Sequence, residues 1–380
     1  MKPLQGIHVI DMTTNISGPT LTMILADLGA EVIKVEKLMG DEARKMEPSL
    51  NDDGVYFLNI NRQKKSITLN MKDPADLEAL YELIKTADVF VENYRLGVSK
   101  KLKVDYDTLK ILNPRLIYFS LSAYGQHGPK KMYPGYDAIM QAETGIMSVT
   151  GIEDLARVPV SINDQGSAIW GALGVVSAVL QRSQTNEGCF VSTSLYETSI
   201  FWSNYHLLST QLTGENPQKL GSNHGAFAPY GAFRTEDGAI MIGISNNKLF
   251  EKLCHVLGKP EWITASHYET NEQRVKNRSQ LTQEIERLTK TKKRNALITS
   301  LEASGIPVAH VKTMQDVLVD SQQIENKLIV RLPHLRDGEM YATRIPLTFS
   351  NCDITPTKAA PMLGEHNEEI LRRGKVRDIK

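Results

Sequence analysis

Cysteine is scarce. The three in 380 residues, Cys189, Cys254 and Cys352, are odd in number and far apart, and no CxxC spacing is present, which argues against a disulfide framework or a structural zinc site. Their scarcity fits a reducing, cytoplasmic setting. Net charge is missing too: 44 basic residues cancel 44 acidic ones, so no global field draws the chain to nucleic acid or an anionic membrane. Any anionic ligand must be held by a local cluster. No apolar run reaches the ~18 residues of a membrane span, and MKPLQGIHVIDM passes directly into a strand pattern without an export signal. Internal repeats and low-complexity tracts are absent as well.

What is present suits an enzyme with a sizeable core. A hydrophobic fraction of 41% over this length implies two domains, or one with a large excursion. In the first half, apolar strands alternate with helical patterns: Ile7 to Met12, a helix from about Gly18 to Leu28, Glu31 to Glu36, then Lys65 to Met71. Asp73 and Pro74 form a cap and first-turn pair for a helix carrying Leu77, Leu80, Leu83 and Ile84, which leads into Val89 to Asn93. A further helix ends before Pro114, and LIYFSLSAYG follows. This alternation predicts a parallel sheet with crossover helices. Ligands of open α/β sheets bind beyond the carboxyl ends of strands, here Thr13 to Gly18, Lys37, Asn93 to Gly97 and Ala123 to Gly128.

A nicotinamide dehydrogenase is the first activity such a layout brings to mind, with Glu36 where a ribose-binding acid would stand. The turn TTNISGPT, however, holds one glycine, Gly18, where the dinucleotide fingerprint needs three. Lys37, with Arg44, Arg95, Lys100 and Lys101, instead offers a cationic cluster of the kind a 3′-phosphorylated nucleotide requires. Taken singly, each of these is more often a solvated surface charge, but their placement near strand ends favours a ligand role.

Between Arg157 and Arg182 the only charged side chain is Asp164, at the head of a small-residue, apolar stretch. Ile169, Leu173, Val176 and Leu180 recur at helical spacing, while Gly166, Ser167, Ala168, Gly171, Ala172 and Gly174 keep the opposite flank thin. Asp164 or Asn163 could simply be the N-cap of this helix. The alternative is a functional carboxylate kept ionised by the helix N-terminus, with Gly166 admitting a large substrate and nearby amides stabilising an oxyanion.

The blocks GPTLTMILADLGAEVIKVEK, LNINRQKKSITLNM, DVFVENYRLGV, LNPRLIYFSLSAYGQHGP, PGYDAIMQAETGIMSVTG and the Asp164 segment, followed by APYGAFRTEDG, GIPVAHV and LGEHNEEIL, stand in an order that resembles the class III coenzyme A transferases, the CaiB/BaiF and formyl-CoA transferase family. The resemblance runs nearly end to end. It implies an α/β fold with a Rossmann-like large domain built from both ends of the chain (1–190 and 330–380), a linker (191–224), a smaller α+β domain (225–325), and a return linker (326–329). It also implies a homodimer of interlocked rings. The irregular composition of Thr213 to Gly225, after a helix through Tyr205 and Leu212, independently favours a linker.

By position in the family pattern, Asp164 corresponds to the catalytic aspartate, with Gln165, Gly166 and Tyr136 supporting substrate or oxyanion. Ile16, Lys37, Leu69, Asn93, Tyr94, Lys101 and Asp137 fall where the family holds CoA. The activity implied is transfer of CoA from a donor acyl-CoA, of succinyl-CoA type, to a small carboxylic acid through a covalent aspartyl intermediate, with CoA esters as substrates and neither a resident cofactor nor a metal. Two departures disfavour formyl-CoA and oxalate. Ile16 replaces a gating glutamine, and the glycine-rich loop GGGGQ is missing. Asn223, His224 and Arg234 could meet an acceptor carboxylate. An α-methylacyl-CoA racemase is the rival reading, but Tyr136 stands where its second base, a histidine, belongs, and His127 lies in a GQHGP turn. A non-catalytic acyl-CoA-binding protein is the rival from another class.

Overall fold

The computed structural model describes residues 1–50, 53–334, 336 and 338–371; the end of the expected large-domain tail, 372–380, lies outside them. The chain forms two compact units. The first runs from Met1 to Ile146, resumes over Val158–Glu215 and returns from Ile324, and the second takes Met147–Arg157 and Asn216–Gln323. Residues 147–157, placed with the large domain from sequence, belong to the second unit. There Gly221 donates its amide to Gly151 O and Lys219 Nζ donates to Asp154 O.

The first unit is built on six parallel strands: β1 (His8–Asp11), β2 (Glu31–Glu36), β3 (Lys65–Thr68), β4 (Val89–Glu92), β5 (Ile117–Ser122) and β6 (Phe190–Ser194). Their spatial order, β3-β2-β1-β4-β5-β6, is that of a doubly wound nucleotide-binding sheet. Every residue of β4 and β5 is buried, as expected of strands covered on both faces. Alternate residues feed two separate cores. Val9, Val32, Val89, Val91, Ile117, Phe119 and Leu121 face helices α1 (Ser17–Asp27) and, further along the chain, Ile162–Thr185. Ile10, Val35, Ile67, Phe90 and Tyr118 pack with Leu80 and Ile84 of α2 (Pro74–Ile84) and Leu109 of α3 (Tyr106–Leu112).

Asp73 caps α2 by accepting from the Ala75 amide at 2.9 Å, with Pro74 in the first turn, as the sequence predicts. After α4 (Asp137–Glu143), helix α5 (Ile162–Thr185) is followed by α6 (Leu195–Trp202) and α7 (Asn204–Thr213). The tail block closes the β3 edge: the Thr68 amide donates to Asn367 Oδ1 at 2.8 Å, and the His366 amide to Ser66 O at 2.9 Å. Both ends of the chain thus build this unit.

In the second unit, β7 (Tyr230–Thr235), β8 (Gly238–Gly243) and β9 (Val308–His310) form an antiparallel sheet with β8 central. It packs on α8 (Asn247–Leu257), α9 (Arg278–Thr289) and α10 (Arg294–Ala303) through Phe233, Ile240, Phe250, Leu253, Leu281, Ile285 and Leu301. The mixed α/β architecture with a central parallel sheet agrees with the sequence reading.

Candidate active site

The order of the strands reverses between β1 and β4, and there a cleft of about 380 Å3 opens at their carboxyl ends. Its wall includes Thr14 to Ser17 after β1, Asn93 to Leu96 after β4, Leu121 to Ala123 at the end of β5, Tyr133 to Tyr136, and Asp164. This is where an open α/β sheet binds ligands. A second cavity of about 420 Å3 shares Tyr94, Arg95, Leu96 and Ser122 with it and adds Lys100, Glu92 and Gln126.

Buried charges hold the turn after β1. Asp11 accepts from the Thr13 amide and hydroxyl, from Thr22 Oγ1 at 2.6 Å and from Lys64 Nζ at 3.0 Å. Lys34 Nζ donates to Thr13 O at 2.9 Å and pairs with Asp41 at 2.8 Å. Burial would raise the Asp11 carboxyl, but Lys64, Lys34 and the two threonines together hold it at about 2. Gly18 is required where α1 begins, because a Cβ there would sit 2.4 Å from Thr13 Cβ. Asn93 ties the loops together: its Oδ1 accepts from the Thr14 amide at 2.9 Å and its Nδ2 donates to Thr14 O at 2.8 Å.

Asp164 is the chemically distinctive group of the cleft. It lies in the first turn of α5, after the N-cap position at Ser161, so neither it nor Asn163 is the cap. The capping acid is Asp137, whose buried Oδ1 accepts the Asn163 amide at 2.7 Å and whose Oδ2 accepts from Gln141 Nε2 at 2.6 Å. Nor does the helix end keep Asp164 readily ionised. Burial, reinforced by the negative charge of Asp137, pushes its carboxyl up to about 7, against a hydrogen bond from the Ser17 hydroxyl that draws it down.

Several sequence-based expectations change here. Gly166 is buried, and its missing Cβ makes room for Trp202 and Thr198 of α6, at 2.7 and 2.9 Å, rather than for substrate. The Gln165 amide donates to Ser161 O at 2.9 Å, and its side chain is exposed. That amide is therefore committed to the helix and is no free oxyanion donor. Arg44 is enclosed by Glu36 at 2.8 Å and Asp53 at 3.0 Å, with its guanidinium over the Phe57 ring, so it belongs to the core of the fold rather than to a phosphate site. Glu36, spent on Arg44 and Ser66, is no ribose ligand.

Of the positions expected to hold CoA, Ile16, Asn93 and Tyr94 line the cleft and Tyr136 stands at its mouth, 69% exposed. Lys37 is exposed and paired with Glu42, a cleft residue, at 2.9 Å. Lys101 is exposed on the short helix Val98–Lys101. The Leu69 side chain is buried in the core, and Asp137 is spent on the α5 terminus. In the second unit, Asn223 Nδ2 donates to Leu220 O, His224 Nδ1 accepts from the Ala226 amide, and Arg234 pairs with Glu286 at 3.1 Å. Sequence reasoning passed over Ser17 and Lys131 in the cleft wall; the only signal for Ser17 was its place in the turn after the first strand.

A doubly wound sheet with a carboxyl set in the wall of its switch-point cleft defines a nucleotide-fold protein equipped for carboxylate chemistry. The chain belongs to CoA-transferase family III, whose family model matches residues 4–367, and it is a CoA-transferase. It is 35% identical to a mouse succinyl-CoA:glutarate CoA-transferase over 98% of this chain and 86% of the relative. It is 36% identical to an Acetobacter aceti acetyl-CoA:oxalate CoA-transferase over 97% and 95%. A CaiB/BaiF family protein from Brucella suis has a similar crystal structure, with a TM-score of 0.89 at 31% identity over 98% of this chain and 99% of that one. Among the described residues, no helix is long and apolar enough to cross a membrane.

Proposed function

We propose that this protein moves CoA from a succinyl-CoA-type donor to a small carboxylic acid, with Asp164 as the covalent nucleophile. The observation that carries the reading is a half-buried carboxyl on the wall of the switch-point cleft, its ionisation shifted to about 7. A poorly hydrated carboxylate is a better nucleophile than a solvated one, and with this shift about half of it is ionised at neutral pH and nearly all of it above about pH 8.

One Asp164 oxygen attacks the donor thioester carbonyl, the C–S bond breaks, and a mixed anhydride and CoA thiolate result. The thiolate then attacks the Asp164 carbonyl carbon, expelling the donor acid as its carboxylate and leaving an aspartyl-CoA thioester. The acceptor carboxylate runs the two steps in reverse. Each step exchanges one activated acyl bond for another, so one large barrier is divided into smaller ones. Ile16, Asn93 and Tyr94 contact the CoA ester in this reading, Lys37 and Lys101 approach its phosphates, and Tyr136 flanks the acyl group. The two adjoining cavities suit a ligand as long as an acyl-CoA.

The names of the mouse and Acetobacter relatives pair an acyl-CoA with a dicarboxylic acid, which supports a small diacid as acceptor here. The working form in this reading is a homodimer of interlocked rings, and the three unpaired cysteines support a cytoplasmic setting. The racemase reading needs a second base, and no histidine lines either cavity.

The test is mass-spectrometric acyl exchange with succinyl-, acetyl- and formyl-CoA, each against a panel of carboxylic acids. A new acyl-CoA is expected from the wild type, with a loss of at least ~10³-fold in Asp164→Ala and CoA binding kept near wild type. Exchange that survives in Asp164→Ala would sink the nucleophile assignment. Deuterium wash-in at the α-carbon of a 2-methylacyl-CoA, without exchange, would promote the racemase.

A further inference from the structure

The two additions to the Asp164 carbonyl carbon, first of CoA thiolate and later of acceptor carboxylate, place negative charge on one of its own oxygens. When thiolate or acceptor carboxylate adds to the aspartyl carbonyl carbon, the π electrons move to oxygen, and a donor must already be aimed there. The Gln165 amide is not available, because it donates to Ser161 O at 2.9 Å.

Ser17 is placed to meet the requirement. It is the first residue of α1, 5% exposed, and it lines the same cleft as Asp164, where its hydroxyl draws the ionisation of that carboxyl down. The two groups are held together by rigid packing. A Cβ on Gly171 of α5 would lie 2.2 Å from Leu21 Cδ1 of α1, so the Leu21 side chain seats directly against the α5 backbone. The turn leading into Ser17 is fixed by Lys34 on Thr13 O, Asn93 on Thr14, and the Asn15 amide on Asp41 Oδ1 at 3.1 Å.

We propose that Ser17 is a catalytic residue, the oxyanion donor for the tetrahedral states formed at the Asp164 carbonyl carbon. This rests on Asp164 being the nucleophile. In the mixed anhydride and in the aspartyl thioester, the Asp164 carbonyl oxygen is uncharged and the serine hydroxyl makes an ordinary hydrogen bond to it. Addition of CoA thiolate forms the C–S bond and turns that oxygen into an oxyanion, so the bond becomes charge-assisted and strengthens in the transition state. Collapse restores the C=O bond and expels the carboxylate. The first attack, on the donor thioester, puts its oxyanion on the donor instead, and Ser17 has no comparable part in it.

That asymmetry makes the assignment testable with Ser17→Ala and Ser17→Thr, compared by steady-state exchange, pH profile and a single-turnover assay of free thiol on mixing with succinyl-CoA. Ser17→Ala is expected to lose about 10²-fold in kcat and to move the acid limb of its pH profile upward, because a hydrogen bond that favours the carboxylate is gone. It is also expected to release CoA thiol in a burst close to one per site, since the mixed anhydride forms but recaptures thiolate slowly. Ser17→Thr, which keeps the hydroxyl, should restore most of the exchange rate. Wild-type kcat in Ser17→Ala, or a loss with an unshifted limb and no thiol burst, would overturn the role of Ser17. Absence of any CoA adduct on Asp164 in the wild-type enzyme would instead overturn the nucleophile reading beneath it.

Discussion

The Asp164 carboxyl stands between opposing influences: burial and Asp137 push its ionisation up to about 7, and the Ser17 hydroxyl pulls it down. Because the nucleophile must be ionised, the sign is fixed. Activity is present above the folded-state pKa and falls by about tenfold per pH unit below it. Asp137→Asn removes the like charge while keeping an oxygen to accept the Asn163 amide. The acid limb of kcat/KM should therefore move to lower pH in Asp137→Asn, the reverse of the Ser17→Ala shift, as read from rates between pH 5 and 9. A limb that stays in place would show that Asp137 serves the helix terminus alone. Asp164 was legible in the sequence as an isolated carboxylate, but its environment was not. The acids and hydroxyls that tune it come from residues 17 and 137, far off in the chain, and no local pattern announces them.

Among the elements, α1 and α5 carry the site, and their contact depends on residues without side-chain bulk. Gly171 meets Leu21 and Phe119 where a Cβ would lie 2.2 and 2.7 Å away, and Gly166, Ala168, Ala172 and Ala178 extend the same buried face. Gly171→Ala must displace Leu21 or Phe119, so a destabilisation of about 1–3 kcal/mol is expected, measured by denaturant unfolding of the intact protein. A loss below ~0.5 kcal/mol would mean that the two helices separate at little cost. The strands of the first half were legible because their apolar runs and intervening helices leave few arrangements. The helix after Asp164 was legible as a helix, yet its facing reads the opposite way from what apolar periodicity implies. Ile169, Leu173 and Leu180 are 57, 54 and 64% exposed, while Gly166, Ala168, Gly171, Ala172 and Ala178 are buried. Periodicity locates an apolar stripe but does not say what that stripe packs on. Likewise Arg44, one more cation near a strand end in the sequence, proves to be a core residue because Glu36 and Asp53 converge on it.

At the scale of the whole molecule, the exposed stripe of α5 is continued by Phe201 and Trp202 of α6 and by Tyr205, Leu208 and Leu212 of α7, the last 87% exposed. Aromatic contacts join part of it, with Trp170 and Phe201 rings 4.9 Å apart and Phe201 and Trp202 5.7 Å apart. A run of large apolar side chains over three successive helices costs solvation free energy in a monomer and marks a surface that another surface covers. A second copy of this chain is the occupant the proposed homodimer supplies. Light scattering should then give about twice the 42.4 kDa chain mass at micromolar concentration. Leu173→Glu and Leu208→Glu, which place charge on this face, should shift the protein toward monomer or aggregate and reduce exchange, even though neither residue lines the cleft. A stable, fully active monomer of the wild-type chain would remove the dimer from the mechanism and leave this apolar face in need of another partner.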